Sequence, residues 1–113
     1  MPRDIIDAVQ GTLDSLILKT LSWGAAHGYA ISRHIREASD EELQIDEGTL
    51  YPALHRLEDR GLIEAEWGVS ENNRRAKFYR LTGTGRAELR ARVRGWERYA
   101  RAVGKVLTAK PAR

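Results

Sequence analysis

The stretch "GTLYPALHRLEDRGLIEAEWG", residues 48–68, joins a helical pattern to a strand pattern through a single Arg-Gly. Leu50, Ala53, Leu54 and Leu57 follow i, i+3, i+4, i+7 spacing, so one apolar stripe faces a core. At about 100° per residue, Pro52, His55, Arg56 and Asp59 fall on the opposite side, flanked by Thr49 and Tyr51. These outward side chains fill no core and form no catalytic set, which suits a surface made for contact. Asp46 or Thr49 is the expected N-cap. Thr49 would put Pro52 in the first turn, where its missing N–H costs little; Asp46 would make it a mild outer-face kink. Gly61 suits the left-handed residue that ends a helix.

Downstream, Ile63, Ala65 and Trp67 alternate with Glu64 and Glu66, which predicts a strand with the first three facing inward. "AKFYRL" is its expected partner, with Tyr79 and Leu81 inward. "GVSENNRR" between them reads as a polar hairpin tip with Asn-Asn at the turn. Upstream, Ile6, Val9, Leu13, Leu16, Ile17 and Leu21 predict a first helix over residues 5–23, stopped by Gly24. Ala30, Ile31, Ile35 and Ala38 predict a second, with Ser32, Arg33, Arg36 and Glu37 outside. From Thr82 or Thr84 onward one long helix is expected, ending in the tail "PAR".

The order is therefore three helices, a hairpin and a long helix: mainly α with a small β-hairpin. That order describes a winged helix-turn-helix over residues 1–81 and a C-terminal dimerisation helix with a frayed tail over 82–113. In that architecture the third helix lies in the DNA major groove and the hairpin wing touches the backbone or minor groove. Thr49, Tyr51, Pro52, His55 and Arg56 are the expected helix contacts, with Arg56 able to read guanine. The helix is not basic, because Glu47, Glu58 and Asp59 oppose Arg56 and Arg60. Arg74, Arg75 and Lys77 on the wing are the expected source of phosphate affinity.

Charge supports a polyanion partner. The net +3 divides into 6 Lys/Arg against 11 Asp/Glu over residues 1–61, and 13 against 5 over 62–113. A length of 113 residues suits one domain with a modest core. The absence of cysteine excludes disulfides and thiolate metal sites. No apolar run suits a signal peptide or a membrane span, so a cytoplasmic protein without membrane association is expected. "GTGRAE", residues 83–88, lacks the third glycine of a dinucleotide loop and reads as the turn into the last helix. His27, His34 and His55 lack metal spacing, and Ser15 and Ser32 lack a His-acid partner, so neither enzyme, metal nor cofactor is expected.

In the long helix Leu89, Val93, Trp96, Ala100, Val103 and Leu107 are spaced 4, 3, 4, 3, 4, a heptad seam suited to a second copy of the chain. Packing back on the first helix is the alternative, and both can hold together. Trp96, beside Gly95 and near Tyr99, suits either plain packing or a flat aromatic ligand at the seam.

"GTLDSLILKTLSWGAAHGYAISRHI", "IDEGTLYPALHRLEDRGLIEAEW" and "RRAKFYRLTGTGRAEL" resemble the PadR family of bacterial transcriptional repressors. The single C-terminal helix and "GWERYARAV" resemble the short class, which includes multidrug-sensing regulators, with Trp96 at the equivalent place. The resemblance implies a homodimer that binds double-stranded DNA, represses transcription and is released by a small molecule or stress signal. The alternative function is a winged-helix protein–protein adaptor without a ligand.

Overall fold

The computed structural model describes residues 2, 3 and 11–112. Helix α1 spans Thr12–Leu21, so the start of the expected first helix, with Ile6 and Val9, lies outside the described residues. Its last turn closes on Ser22, whose hydroxyl donates to the Lys19 carbonyl at 2.6 Å, before Gly24 turns the chain at φ 144°. A two-residue strand follows, β1 (Ala26–His27), which periodicity could not reveal at that length. His27 then caps α2 (Gly28–Ala38), its Nδ1 accepting the Ala30 N–H at 3.2 Å.

Helix α3 spans Glu47–Asp59, and Asp46 is its N-cap, its carboxylate accepting the Thr49 N–H at 2.8 Å. Pro52 therefore sits in the second turn. The carbonyl it leaves unbonded belongs to Gly48, on an exposed stretch where water can serve it. At the other end Gly61 adopts φ 72°. The Leu62 N–H reaches the Leu57 carbonyl at 3.0 Å and the Gly61 N–H reaches that of Glu58 at 3.0 Å. These two bonds form a Schellman cap, which reverses the chain into the hairpin within two residues.

Strands β2 (Ile63–Val69) and β3 (Arg75–Leu81) pair antiparallel, from Ile63 opposite Leu81 to Val69 opposite Arg75. At the tip the Asn73 N–H meets the Ser70 carbonyl at 2.9 Å, and Asn73 takes the left-handed φ of 58°. Strand β1 pairs with the free edge of β3, giving the order β1-β3-β2. Helix α4 runs 25 residues, Gly83–Leu107, and is capped by Thr82. The Thr82 hydroxyl accepts the Gly85 N–H at 3.0 Å and donates to the Gly61 carbonyl at 2.7 Å. A Cβ on Gly85 would collide with the Leu62 carbonyl oxygen, so glycine lets α4 start against the α3–β2 corner.

The core joins Ile17, Leu18 and Leu21 of α1, Ile31 and Ile35 of α2, and the expected stripe Leu50, Ala53, Leu54 and Leu57 of α3. Ile63, Tyr79 and Leu81 close it from the sheet. Leu89 also belongs to this core, so the first turns of α4 pack against their own chain. Buried Arg92 fixes that packing: it donates to Glu88 at 2.8 Å and to the Gly11 carbonyl at 3.2 Å. Farther along, α4 leaves the core, and Trp96, Val106 and Leu107 are exposed. No described helix is long and apolar enough to cross a membrane.

Candidate nucleic-acid interface

The buried stripe of α3 leaves Thr49, Tyr51, Pro52, His55 and Arg56 all exposed along its other side. Tyr51 lies across the start of α2, where a Cβ on Gly28 would come within 2.6 Å of the phenol oxygen. Gly28 thus lets the ring lie close against the backbone there. His55 Nε2 lies 3.4 Å from the Asp59 carboxylate one turn on. Arg56 reaches back to α1, its Nη2 donating to Asp14 at 3.1 Å. The pair is asymmetric: the Arg56 side chain is 57% exposed and that of Asp14 only 12%. The guanidinium has five donors in a planar fork, so one bond to Asp14 leaves others facing solvent.

The three wing cations do not gather at the tip. Arg74 lies in the exposed turn and has no ion-pair partner among the described residues. Arg75 opens β3 and sits over the Trp67 ring at 4.5 Å. Lys77 turns toward α3, with its ammonium 3.4 Å from Glu58 and 5.6 Å from the Tyr79 ring. Trp67, expected inward, is 58% exposed, because the hairpin extends beyond the core at that register and Arg75 covers the ring instead. On the outer face Arg80 bonds Glu64 at 2.8 Å, and this bond holds its pKa above the usual arginine value. Burial raises the Tyr79 pKa, against the opposing pull of the Lys77 ammonium above the ring.

Between wing and helices lies an open groove of about 510 Å³, lined by His27, Tyr29, Tyr51, Trp67, Arg74 and Arg75 among others. His27 and Tyr29 are additions to the sequence reading. The rings are 6.4 Å apart, and Arg33 sits 5.7 Å from the Tyr29 ring. Their only sequence signal is that Gly28 separates two aromatic residues at a helix start. Asp14 gave none, since an acid in a first helical turn is ordinary.

On α4, Val93, Trp96, Ala100 and Leu107 are exposed and Val103 is partly buried, whereas Leu89 faces the core. Trp96 is 48% exposed, and its ring lies 5.9 Å from that of Tyr99. Among the described residues no group of three or more His, Cys, Asp or Glu could hold a metal ion.

A winged helix with an exposed polar third helix defines a nucleic-acid-binding class. The chain belongs to the PadR-like family of transcriptional regulators, whose family model matches residues 17–91. It is similar to a transcriptional regulator from Clostridium thermocellum, at 36% identity and TM-score 0.78, over 92% of this chain and 99% of that one. It is also similar to a PadR family transcription regulator from hypervirulent Clostridium difficile R20291, at 31% identity and TM-score 0.75, over 86% and 99%. The transcriptional regulator Rv3488 of Mycobacterium tuberculosis is 43% identical over 68 residues, 60% of this chain and 63% of that protein. Members of the family are DNA-binding regulators and not enzymes.

Proposed function

We propose that this chain is a homodimeric, sequence-specific repressor that releases DNA when a small aromatic ligand or stress signal acts on it. The supporting observation is the pairing of an exposed outer face on α3, bearing Thr49, Tyr51, His55 and Arg56, with an adjacent wing that carries Arg74 and Arg75. Tyr51, Pro52, His55 and Arg56 enter the major groove, with Thr49 near a phosphate. Arg74 and Arg75 grip the backbone. Lys77 contributes by turning away from Glu58, and the open groove below the wing receives the strand.

Residues 82–113 form the dimerisation unit, helix α4 and the tail that follows it. The part of its seam outside the core, exposed Val93, Trp96, Ala100 and Leu107 with partly buried Val103, meets a second copy, while Leu89 anchors each helix to its own subunit. Two recognition helices tied to one seam must match one turn of DNA, about 34–36 Å. A planar ligand between the Trp96–Tyr99 pairs of two subunits represses binding only if it favours another spacing. The test is a selection of duplexes from a randomised pool, followed by a salt titration of the winner and of Arg74→Ala/Arg75→Ala. Wild type should select one motif, and the variant should lose about 0.9 of slope per lost contact. Failure to select any duplex would leave the adaptor reading in its place.

A further inference from the structure

The basic excess of the second half of the chain is not used up by the wing. Helix α4 carries Arg86, Arg90, Arg94, Arg98, Arg101 and Lys105, spaced 4, 4, 4, 3, 4, and all six are exposed. At about 100° per residue they share an arc of about 120°, and at about 1.5 Å per residue the row is about 28 Å long. The helix has two acids: Glu88 is bound to buried Arg92, so Glu97 alone lies among the row. The row is centred about 120° around the helix from the heptad seam, so dimerisation through that seam leaves it accessible.

A solubilising helix face intersperses both signs, because like charges at i, i+4 repel by a few tenths of a kcal/mol per pair. Here the repulsion is repeated along the whole helix. Five of the six are arginine, whose planar and weakly hydrated fork bonds phosphate bidentately. The arc holds no large apolar side chain. The apolar surface that a membrane-lying helix needs is the seam, assigned above to the second copy. Helix α4 packs on α1 and β3, whereas α3 packs on α1, α2 and β2, so row and reading face belong to different elements.

We propose that this row is a second duplex-DNA surface, which binds the phosphate backbone of a segment outside the one read by α3. The proposal rests on the DNA-binding and dimer readings above, and its test separates their failure from its own. The probes are the selected duplex cut to about 20 base pairs, long enough for two half-sites one turn apart, and the same site within about 60 base pairs. The full-length protein is compared with Arg90→Gln/Arg94→Gln/Arg101→Gln, with the Lys version of the same triple, and with Arg74→Ala/Arg75→Ala. Circular dichroism and sedimentation check that each variant is folded and assembled as wild type. The expected result is that the Gln triple loses about 0.9 of salt slope per neutralised contact on the long duplex and keeps wild-type binding on the short one. The Lys triple should keep the slope on both. An unchanged long-duplex slope in the Gln triple overturns the proposal, and so does an equal loss on both lengths. Loss of binding to phosphatidylserine vesicles with DNA binding intact overturns it in favour of a membrane. If Arg74→Ala/Arg75→Ala alters neither duplex, the wing reading fails independently of the row.

Discussion

Arg56 has a structural tie in this fold and, on the proposed function, a contact with DNA, and the two can be separated by measurement. Its guanidinium lies 3.1 Å from an Asp14 carboxylate that is nearly buried, while its own side chain is half-exposed. At an effective dielectric of about 20, that separation gives a Coulomb attraction of roughly 5 kcal/mol as an upper bound. Desolvation of Asp14 and screening at the Arg56 end remove most of it. The penalty for stranding Asp14 is larger than the pair's net worth, because a buried carboxylate is left without a donor, which costs about 1–3 kcal/mol. Arg56→Ala should therefore lower the melting temperature, at roughly 4–8 °C per kcal/mol for a domain of this size. Asp14→Asn keeps an acceptor oxygen and removes the charge, so alone it should cost about 1 kcal/mol or less. Adding Asp14→Asn to Arg56→Ala should restore most of the loss. Thermal unfolding of the four proteins at one fixed concentration measures the coupling. If Arg56→Ala melts with wild type, or if the double variant melts no higher than Arg56→Ala, the tether is not energetically real. DNA binding gives the second role: Asp14→Asn leaves Arg56 held only by a neutral acceptor, so discrimination between selected and random duplex should fall while non-specific affinity does not.

Gly85→Ala should destabilise the fold by several kcal/mol or abolish it, since the added methyl meets backbone and not a side-chain end; denaturant unfolding checks this. Thr82→Ala removes a cap and a bond to Gly61, so a loss of about 1–2 kcal/mol is expected, against near neutrality for Thr82→Ser. Gly28→Ala should displace the Tyr51 ring and weaken DNA binding more than it lowers the melting temperature, which a gel-shift titration beside a thermal scan decides. Val93→Glu should convert dimer to monomer in sedimentation, whereas the same change at Ala102, off the seam, should not.

Most of the fold was legible because it depends on patterns of short range. The stripe of α3, the left-handed stop at Gly61 and the pairing of β2 with β3 each follow from a few neighbouring residues, and all three are present, although the inward alternation of β2 holds at Ile63 and fails at Trp67. Strand β1 was not legible. Two residues have no period, and Ala26–His27 becomes a strand only because β3 offers a free edge beside it. Leu89 shows a different limit. Its heptad spacing is correct, but spacing cannot say which surface a position meets, and the packing of α4 on α1 takes Leu89 for the core.

The candidate site was legible as a set of residue types and not as an arrangement of charges. Read along the chain, Arg56, Arg75 and Lys77 are three available cations. In the fold, Asp14 holds the first from 42 residues away, Trp67 lies beneath the second, and Glu58 engages the third across 19 residues. None of these partners is within a helical turn, so no local rule could supply them. The consequence concerns what binds first. On the proposed binding mode, Arg74 in the exposed turn would meet a phosphate without giving up an ion pair to any described residue, whereas Lys77 would exchange Glu58 for DNA, and that exchange would offset part of its gain. Encounter with any duplex should thus depend on Arg74, and the held guanidinium of Arg56 should matter mainly once the helix is seated in the groove. A sequence reading that counts cations assigns these residues equal weight; the partners that fold around them set the order.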